Sequence, residues 1–361
     1  MKIAKIETGE ISIALRKPFK TALRTVGSVH DLLIRITADT GETGYGEAPQ
    51  TAVITGDTLG SIRTAVESFI TPALLGMEIE NLDGIMTKLQ KCIVHNESAK
   101  AAVDMAVYDL YAKSCGKPLY QCLGGAKAEI ETDLTISVNP IPEMVSDAKA
   151  AVGRGFHILK IKVGKDGSRD VERLKAIREA VGPEVTIRVD ANQGWNARQA
   201  VRIITEMEDS GVLPELIEQP VPAHDIDGLA YVTSRVQTPI LADESVFSPQ
   251  DAFSILQRHA ADMINIKLMK AGGIWQALKI CSIAEIFGVK CMMGSMMESK
   301  LAVSAAAHLA AGRSVITKAD LDGPSLCRTD PYEGGPEFLG PHIRMPKTAG
   351  LGFCRIPGFE K

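Results

Sequence analysis

Eight ionisable residues recur along this chain at a nearly even interval: Lys160 with Lys162, Asp190, Glu218, Asp243, Lys267, and Asp320 with Asp322. From Lys162 the steps are 28, 28, 25 and 24 residues, then 53 to Asp320, which spans two steps. Carboxylates can hold a hard cation, and amines can take and return protons. The runs Leu159-Lys160-Ile161-Lys162-Val163 and Leu216-Ile217-Glu218-Gln219-Pro220 set charge inside apolar segments. Buried charge is costly unless paired or metal-bound, so the set must be functional or mutually neutralising.

The interval is that of a repeated strand and helix. Apolar strands are expected at Thr132–Val138, Ile158–Val163, Val185–Val189, Leu216–Glu218, Ile240–Asp243, Met263–Lys267, Lys290–Met293 and Val315–Asp320. Helices fall between them. Ser248-Pro249-Gln250-Asp251 marks one start with a cap, a first-turn proline and an acid. Eight strands with seven helices predict a parallel α/β barrel of the (β/α)8 kind over residues 126–330. Each ionisable residue then stands at the C-terminal end of its strand, the face that carries the chemistry in such barrels.

Residues 1–125 read differently. Strands at Ile3–Leu15 and Leu32–Thr37, with a Thr-Gly turn near Gly44, precede helical patterns at Thr58–Phe69, Leu82–Ile93 and Ser98–Ser114. Strands followed by helices predict an α+β unit. Lys17–Thr25, with Pro18 and no sustained alternation, is expected to be a loop. Residues 331–361 are rich in Gly and Pro and are expected to return onto the first unit.

If Lys160 and Lys162 stand on the second strand, then Asp190, Glu218 and Asp243 follow on the third, fourth and fifth, and Lys267 on the sixth. In a ring of eight, the second and sixth strands are opposed. Three adjacent carboxylates repel and call for a cation, and an all-oxygen set suits Mg²⁺. A substrate carboxylate on that cation would place its α-carbon between amines on opposite faces. Removing the α-proton would give an enediolate whose charge the cation offsets. A lysine base needs its pKa lowered to about 7–8, which burial or the neighbouring cations would supply. Two bases on opposite faces imply inversion.

The 361 residues carry a net charge of −4, with 45% hydrophobic and 23% charged residues. That gives no basic footprint for nucleic acid and none for an anionic membrane. The start of the chain lacks a secretory pattern, and no long uncharged apolar run is present. Seven scattered cysteines form no C-x-x-C pair and read as reduced thiols in a cytoplasmic protein. The seven histidines have no zinc spacing and read as structural.

K-I-K at 160–162, V-D-A-N-Q-G-W at 189–195, I-E-Q-P at 217–220, A-D-E-S at 242–245, N-I-K-L-M-K-A-G-G at 265–273 and D-L-D at 320–322 together resemble the enolase superfamily. Within it they resemble the muconate-lactonising subgroup and its dipeptide epimerases. S-A-K-A-A-V-D-M-A-V-Y-D-L at 98–110 extends the resemblance over nearly the whole chain. It implies a modified (β/α)7β barrel under an α+β capping domain that bears specificity loops. It also implies Mg²⁺ held by Asp190, Glu218 and Asp243, with Lys162 and Lys267 as the acid/base pair. Lys160 would help to hold the substrate carboxylate. Thr135 and Ser295 fall where family members contact substrate, or are simply satisfied hydroxyls. The seventh strand reads Met292-Met293-Gly294-Ser295 where mandelate racemases place a histidine, and its methionines read as core filler.

Asp320 and Asp322, two apart on a strand, would converge on the mouth and suit a substrate ammonium, which a dipeptide supplies. Two solvated acids are the plainer alternative. Arg24 matches the position that, in L-Ala-D/L-Glu epimerases, pairs with the side-chain carboxylate of the second residue; a solvated loop arginine is its alternative. The resemblance thus implies an isomerase that epimerises L-Ala-D/L-Glu at the α-carbon of the C-terminal residue. N-acylamino acid racemase, o-succinylbenzoate synthase and a non-catalytic barrel are the other readings. A small dipeptide substrate and a homo-oligomer are expected.

Overall fold

The computed structural model describes residues 1–164 and 167–359. Beyond residue 133 the chain alternates strand and helix as the ionisable interval required. The eight barrel strands are Leu134–Ile136, Ile158–Lys162, Thr186–Asp190, Leu216–Glu218, Ile240–Ala242, Met263–Ile266, Lys290–Gly294 and Ile316–Asp320. They form one sheet, each hydrogen-bonded to its neighbours in sequence order, and every pairing is parallel. The ends of the sheet meet where the Asp133 N–H donates to Ala319 O at 3.3 Å and the Thr135 N–H to Asp322 Oδ2 at 2.7 Å. Among the described residues seven helical connections alternate with the strands, the sixth split into the turn Leu268–Ala271 and the helix Ile274–Phe287, and the one helix after the eighth strand is the single turn Gly323–Leu326. The architecture is therefore a nearly closed (β/α)7β barrel rather than a full (β/α)8 one.

The helices obey local signals. Ser248 accepts from the Asp251 N–H at 3.1 Å ahead of Pro249–Gln257, and Asn196 with Gln199 forms a capping box for Ala197–Asp209. Strand residues such as Leu159, Ile161, Ile187, Val189 and Ile217 are fully buried, as in a parallel sheet covered by helices.

The N-terminal unit is an antiparallel three-stranded sheet, Ile3–Lys20, Thr25–Ala38 and Thr43–Pro49, packed on the helix Glu97–Ser114. Ile11, Ile13 and Leu15 are buried and alternate with exposed residues, which fixes the register. Two expectations change here. Lys17–Thr25 is not all loop: after an irregularity between Ala14 and Phe19 the first strand resumes, pairing Phe19 with Val26 and Lys20 with Thr25. Pro18 sits in that irregularity, where no ladder bond is required of it. Gly44 is likewise within a strand, the turn being at Asp39–Glu42 with Gly41 at φ 94. Gly46 shows why glycine is needed in that strand, because a Cβ there would lie 1.8 Å from Ala102 O of the helix.

The C-terminal segment touches both parts. His342–Arg344 pairs with Glu129–Glu131, the Leu351 N–H donates to Asp109 Oδ1 at 2.7 Å, and Phe359 lies against Tyr45 with ring centroids 6.0 Å apart.

Candidate active site

The parallel register brings the ionisable residues together. Lys162 is level with Asp190, and Asp190 with Glu218, across three adjacent strands. Asp243 and Lys267 directly follow the fifth and sixth strands, while Asp320 ends the eighth, level with Gly294. All are buried.

Four lysines and these carboxylates form one network. Lys160 Nζ lies 2.7 Å from Glu218 Oε2, 2.7 Å from Asp320 Oδ2 and 3.1 Å from Asp190 Oδ2. Lys162 donates to Asp190 Oδ2 at 2.5 Å, and Lys267 to Asp243 Oδ2 at 2.6 Å. Lys270 donates to Asp243 Oδ1 at 2.6 Å and to the Asp243 and Asn265 carbonyls. Among the described residues no three acids are gathered tightly enough to chelate a metal, because the ammoniums stand between them.

That pairing acts against a lowered pKa at Lys160 and Lys267. Burial disfavours the charged form of Lys267, but Asp243 and Glu218 outweigh it and hold the amine above its ordinary value. Lys160 is likewise held well above, with Asp320, Glu218 and Asp190 outweighing its burial. The acids divide unevenly. Burial would raise Asp190 and Asp243, yet Lys162 and Lys160 lower the first, and Lys267 and Lys270 the second. Glu218, buried and beside Asp190, is pushed up to about 8, and Glu244, buried beside Asp243, to about 7.

In its chemistry, though not in the spacing of its oxygens while the lysines are paired with them, the donor set fits a hard cation. Asn192 Oδ1, Glu244 Oε2 and Asn265 Oδ1 are buried acceptors without a hydrogen-bond partner, next to acids that repel one another. Asp190, Glu218 and Asp243 are the residues that could hold it, since all three are fully buried and oxygen is their only donor. Gln219, at φ 36, supports the set by accepting the Asp243 N–H at 2.9 Å and donating to Ser245 Oγ at 2.8 Å.

A cleft opens above this network. Its walls include Lys162, Lys267, Thr135, Ser295, Asp320 and Asp322 of the barrel, with Phe19 and Arg24 of the capping hairpin. Met296 and Met297 also line it, but like Met292 and Met293 they are buried in the core, as expected of filler. The hairpin is tied down at Lys20, whose N–H donates to Ser137 Oγ at 3.1 Å and whose Nζ donates to Asn139 Oδ1 at 2.8 Å.

Two family models match the chain: the mandelate racemase/muconate lactonizing enzyme N-terminal domain over residues 5–124, and the enolase C-terminal domain-like model over 143–354. The chain belongs to the mandelate racemase/muconate lactonizing enzyme family. It is 50% identical over 352 residues to the L-Ala-D/L-Glu epimerase of Clostridium acetobutylicum, covering 98% of both chains. A substrate-liganded structure of the Bacillus subtilis L-Ala-D/L-Glu epimerase is similar at TM-score 0.97 and 51% identity, over 98% of this chain and 99% of that one. The Enterococcus faecalis dipeptide epimerase complexed with Mg and L-Leu-L-Tyr is similar at TM-score 0.95 and 41% identity, over 98% and 100%.

Within this family frame, sequence reasoning missed Lys270, Asn192, Glu244 and Asn265 as parts of the site. Each lies inside a quoted motif, one to three residues from a residue that was singled out. Lys270 was legible as one helical turn after Lys267; the two amide side chains left no signal.

Proposed function

We propose that this chain is a Mg²⁺-dependent isomerase that epimerises dipeptides, L-Ala-D/L-Glu foremost, by proton exchange at the α-carbon of the C-terminal residue. The observation that carries it is the one cleft in which Lys162 and Lys267, from opposed strands, meet two further acids, Asp320 and Asp322. When bound by Asp190, Glu218 and Asp243, Mg²⁺ would offset the charge that grows on the substrate carboxylate as its α-proton leaves.

The remaining work belongs to side chains. Lys160, already an ammonium among carboxylates, offers a fixed positive charge to the substrate's carboxylate. Lys162 and Lys267 act from opposite faces: one takes the α-proton at its Nζ, and the other returns a proton from its Nζ with inversion. The lysine that takes the proton must first give up its own, because an ammonium has no lone pair, and its carboxylate partner opposes that loss; the lysine that returns a proton acts as the ammonium. Asp320 and Asp322 receive the dipeptide ammonium, with Thr135 and Ser295 beside them. An N-acylated amino acid would leave Asp322 without a cation, since Lys160 pairs with Asp320 alone of the two, which disfavours the racemase reading. Arg24 takes the side-chain carboxylate of the second residue.

The reading includes a cytoplasmic homo-oligomer that binds neither nucleic acid nor membrane. All seven cysteines are free, and no described helix is long and apolar enough to cross a membrane. Phe253, Ile286 and Phe287 leave apolar surface on the outer helices, open to a second copy. The test is incubation with L-Ala-L-Glu in D₂O and Mg²⁺, followed by mass spectrometry and chiral analysis. One deuterium at the glutamyl α-carbon with formation of L-Ala-D-Glu is expected; no exchange into any dipeptide would overturn the assignment.

A further inference from the structure

The 98–110 run is not absorbed by the cleft chemistry, and its Asp104 lies fully buried on the capping-domain helix Glu97–Ser114. Both of its oxygens reach out of that domain. Oδ1 accepts from the Ile274 N–H at 2.6 Å and Oδ2 from the Trp275 N–H at 3.1 Å. These are the first two amides of the barrel helix Ile274–Phe287, which no earlier turn of that helix can satisfy. A carboxylate there is also favoured by the positive end of the helix dipole. Burial pushes Asp104 up to about 8, and the two amides are what oppose it.

The same helix start lies a few residues beyond Lys267. Between them are the one-turn helix Leu268–Ala271, Gly272 at φ 83 and Gly273 at φ 110. Every residue from 267 to 274 is buried, so the turn has little room to shift. A Cβ on Gly273 would lie 2.3 Å from Asp104 Cγ, which shows how closely the carboxylate presses on the turn. A second capping-domain residue holds the same turn: Gln90 Nε2 donates to Gly272 O at 2.9 Å. The other end is fixed by Lys270 on Asp243.

We infer that Asp104, with Gln90, is a positioning residue for Lys267: the capping domain sets the place of the sixth-strand lysine by gripping the turn that follows it. Lys162, on the opposed strand, has no share in that turn. The inference rests on the two-lysine reading of the proposed function and adds an asymmetry to it. Loss of the grip should displace one base and spare the other, and an ångström of displacement of a reacting group is enough to cost about a hundred-fold in rate.

The experiment follows α-deuteration of L-Ala-L-Glu and L-Ala-D-Glu separately, each started as a pure epimer in D₂O. Lys162→Ala and Lys267→Ala first establish which lysine exchanges which epimer. Asp104→Asn keeps the shape but sets an amide donor against a backbone N–H. It should lower kcat for epimerisation at least ten-fold with KM within about two-fold. Exchange of the Lys267-dependent epimer should fall in parallel, and exchange of the other should stay within about two-fold of wild type. Asp104→Glu should restore part of the loss. Gln90→Ala, at a half-buried site, should give the same asymmetry at smaller size, and it decides the matter if Asp104→Asn does not fold. Equal loss of both exchanges, or loss of neither, overturns the inference while the two-lysine reading stands. If the lysine variants themselves fail to separate the epimers, that reading fails and takes the inference with it.

Discussion

Asp320 Oδ2 accepts from Lys160 Nζ at 2.7 Å, whereas Asp322, two residues on, accepts the Thr135 N–H at 2.7 Å through its Oδ2. The two acids are therefore not equivalent. Burial would raise Asp320, but Lys160 and Lys162 hold it down to about 2. Asp322 is pushed up to about 6 by burial and by Asp320.

Asp322→Asn should weaken binding of L-Ala-L-Glu and lower kcat/KM about ten- to a hundred-fold, the usual effect of losing a buried charge-assisted hydrogen bond. Asp320→Asn should lower kcat as well, because it also releases Lys160. Steady-state kinetics on the free and N-acetylated dipeptide checks both. Equal activity on the two substrates would show that no ammonium is bound there.

Removing the divalent cation should abolish epimerisation, and restoring Mg²⁺ should recover it. The cation should also stabilise the fold, by about 2.7 kcal/mol at a hundred times its Kd, read as a rise in Tm. Glu218→Gln should lose both the activity and most of that Tm response. Undiminished turnover in chelated enzyme would refute the oxygen-ligand assignment.

Lys162→Ala and Lys267→Ala should each lose epimerisation by about 10²–10⁴-fold, the range expected for a general acid or base. Each should keep deuterium exchange at the epimer whose α-hydrogen faces the surviving lysine. Rapid epimerisation by either variant would end the two-base account.

The barrel was legible because its strands are short apolar runs at an even interval, six of the eight closed by an ionisable residue that cannot lie in a core without a reason. The strand residues drawn from sequence, such as Ile158–Val163 against the observed Ile158–Lys162, differ by a residue or two. The continuation of the first strand to Lys20 was hidden, since Pro18 breaks the alternation at an irregularity that only the pairing with Val26 and Thr25 resolves. The surroundings of Lys160 were hidden for a different reason. Beside Lys162 it looks in sequence like one of two repelling cations, but the register sets Asp190 and Glu218 against it, and with Asp320 they outweigh its burial. Asn192 and Asn265 are silent in sequence, because an amide side chain carries neither charge nor periodicity.

His308, in the helix Lys300–Gly312, is buried, with Nδ1 accepting the Tyr120 N–H at 3.0 Å. Burial, opposed a little by Leu351 O, pushes it down to about 3. A depressed pKa means that its contribution to stability is complete above the unfolded value near 6.5 and is lost as pH falls toward 3. At pH 5 the loss is about 2 kcal/mol. Thermal unfolding of wild type should therefore fall more steeply between pH 7 and 5 than that of His308→Gln, although the variant is less stable at pH 7. Parallel curves would mean that His308 stays neutral in both states or charges in both.

On the proposed function, Arg24 is the residue that sets which dipeptide is preferred. Its side chain faces the cleft that also holds Lys162, Lys267 and Asp322, and it is half-buried rather than solvated. Burial lowers its pKa, with the charge of Asp31 acting against that, and no carboxylate ion-pairs with it among the described residues. A guanidinium loses little charge at such a site, since its ordinary pKa is above 12. A partly desolvated cation without an anion is poised for one from the substrate, and its planar fork suits a carboxylate bound through both oxygens. The hairpin that carries it is fixed, with the Thr21 N–H donating to Arg24 O at 3.0 Å and Lys20 held on Ser137 and Asn139. Wild-type enzyme should therefore prefer L-Ala-L-Glu over dipeptides with Leu or Lys as the second residue. Arg24→Ala should lower kcat/KM for L-Ala-L-Glu about ten- to a hundred-fold while changing L-Ala-L-Leu less than about three-fold. Arg24→Lys should recover only part, because a point charge replaces the fork. Kinetics on the three dipeptides measures this directly. A wild-type preference for Leu or Lys at the second position would remove Arg24 from substrate recognition and leave the epimerisation chemistry of Lys162 and Lys267 untouched.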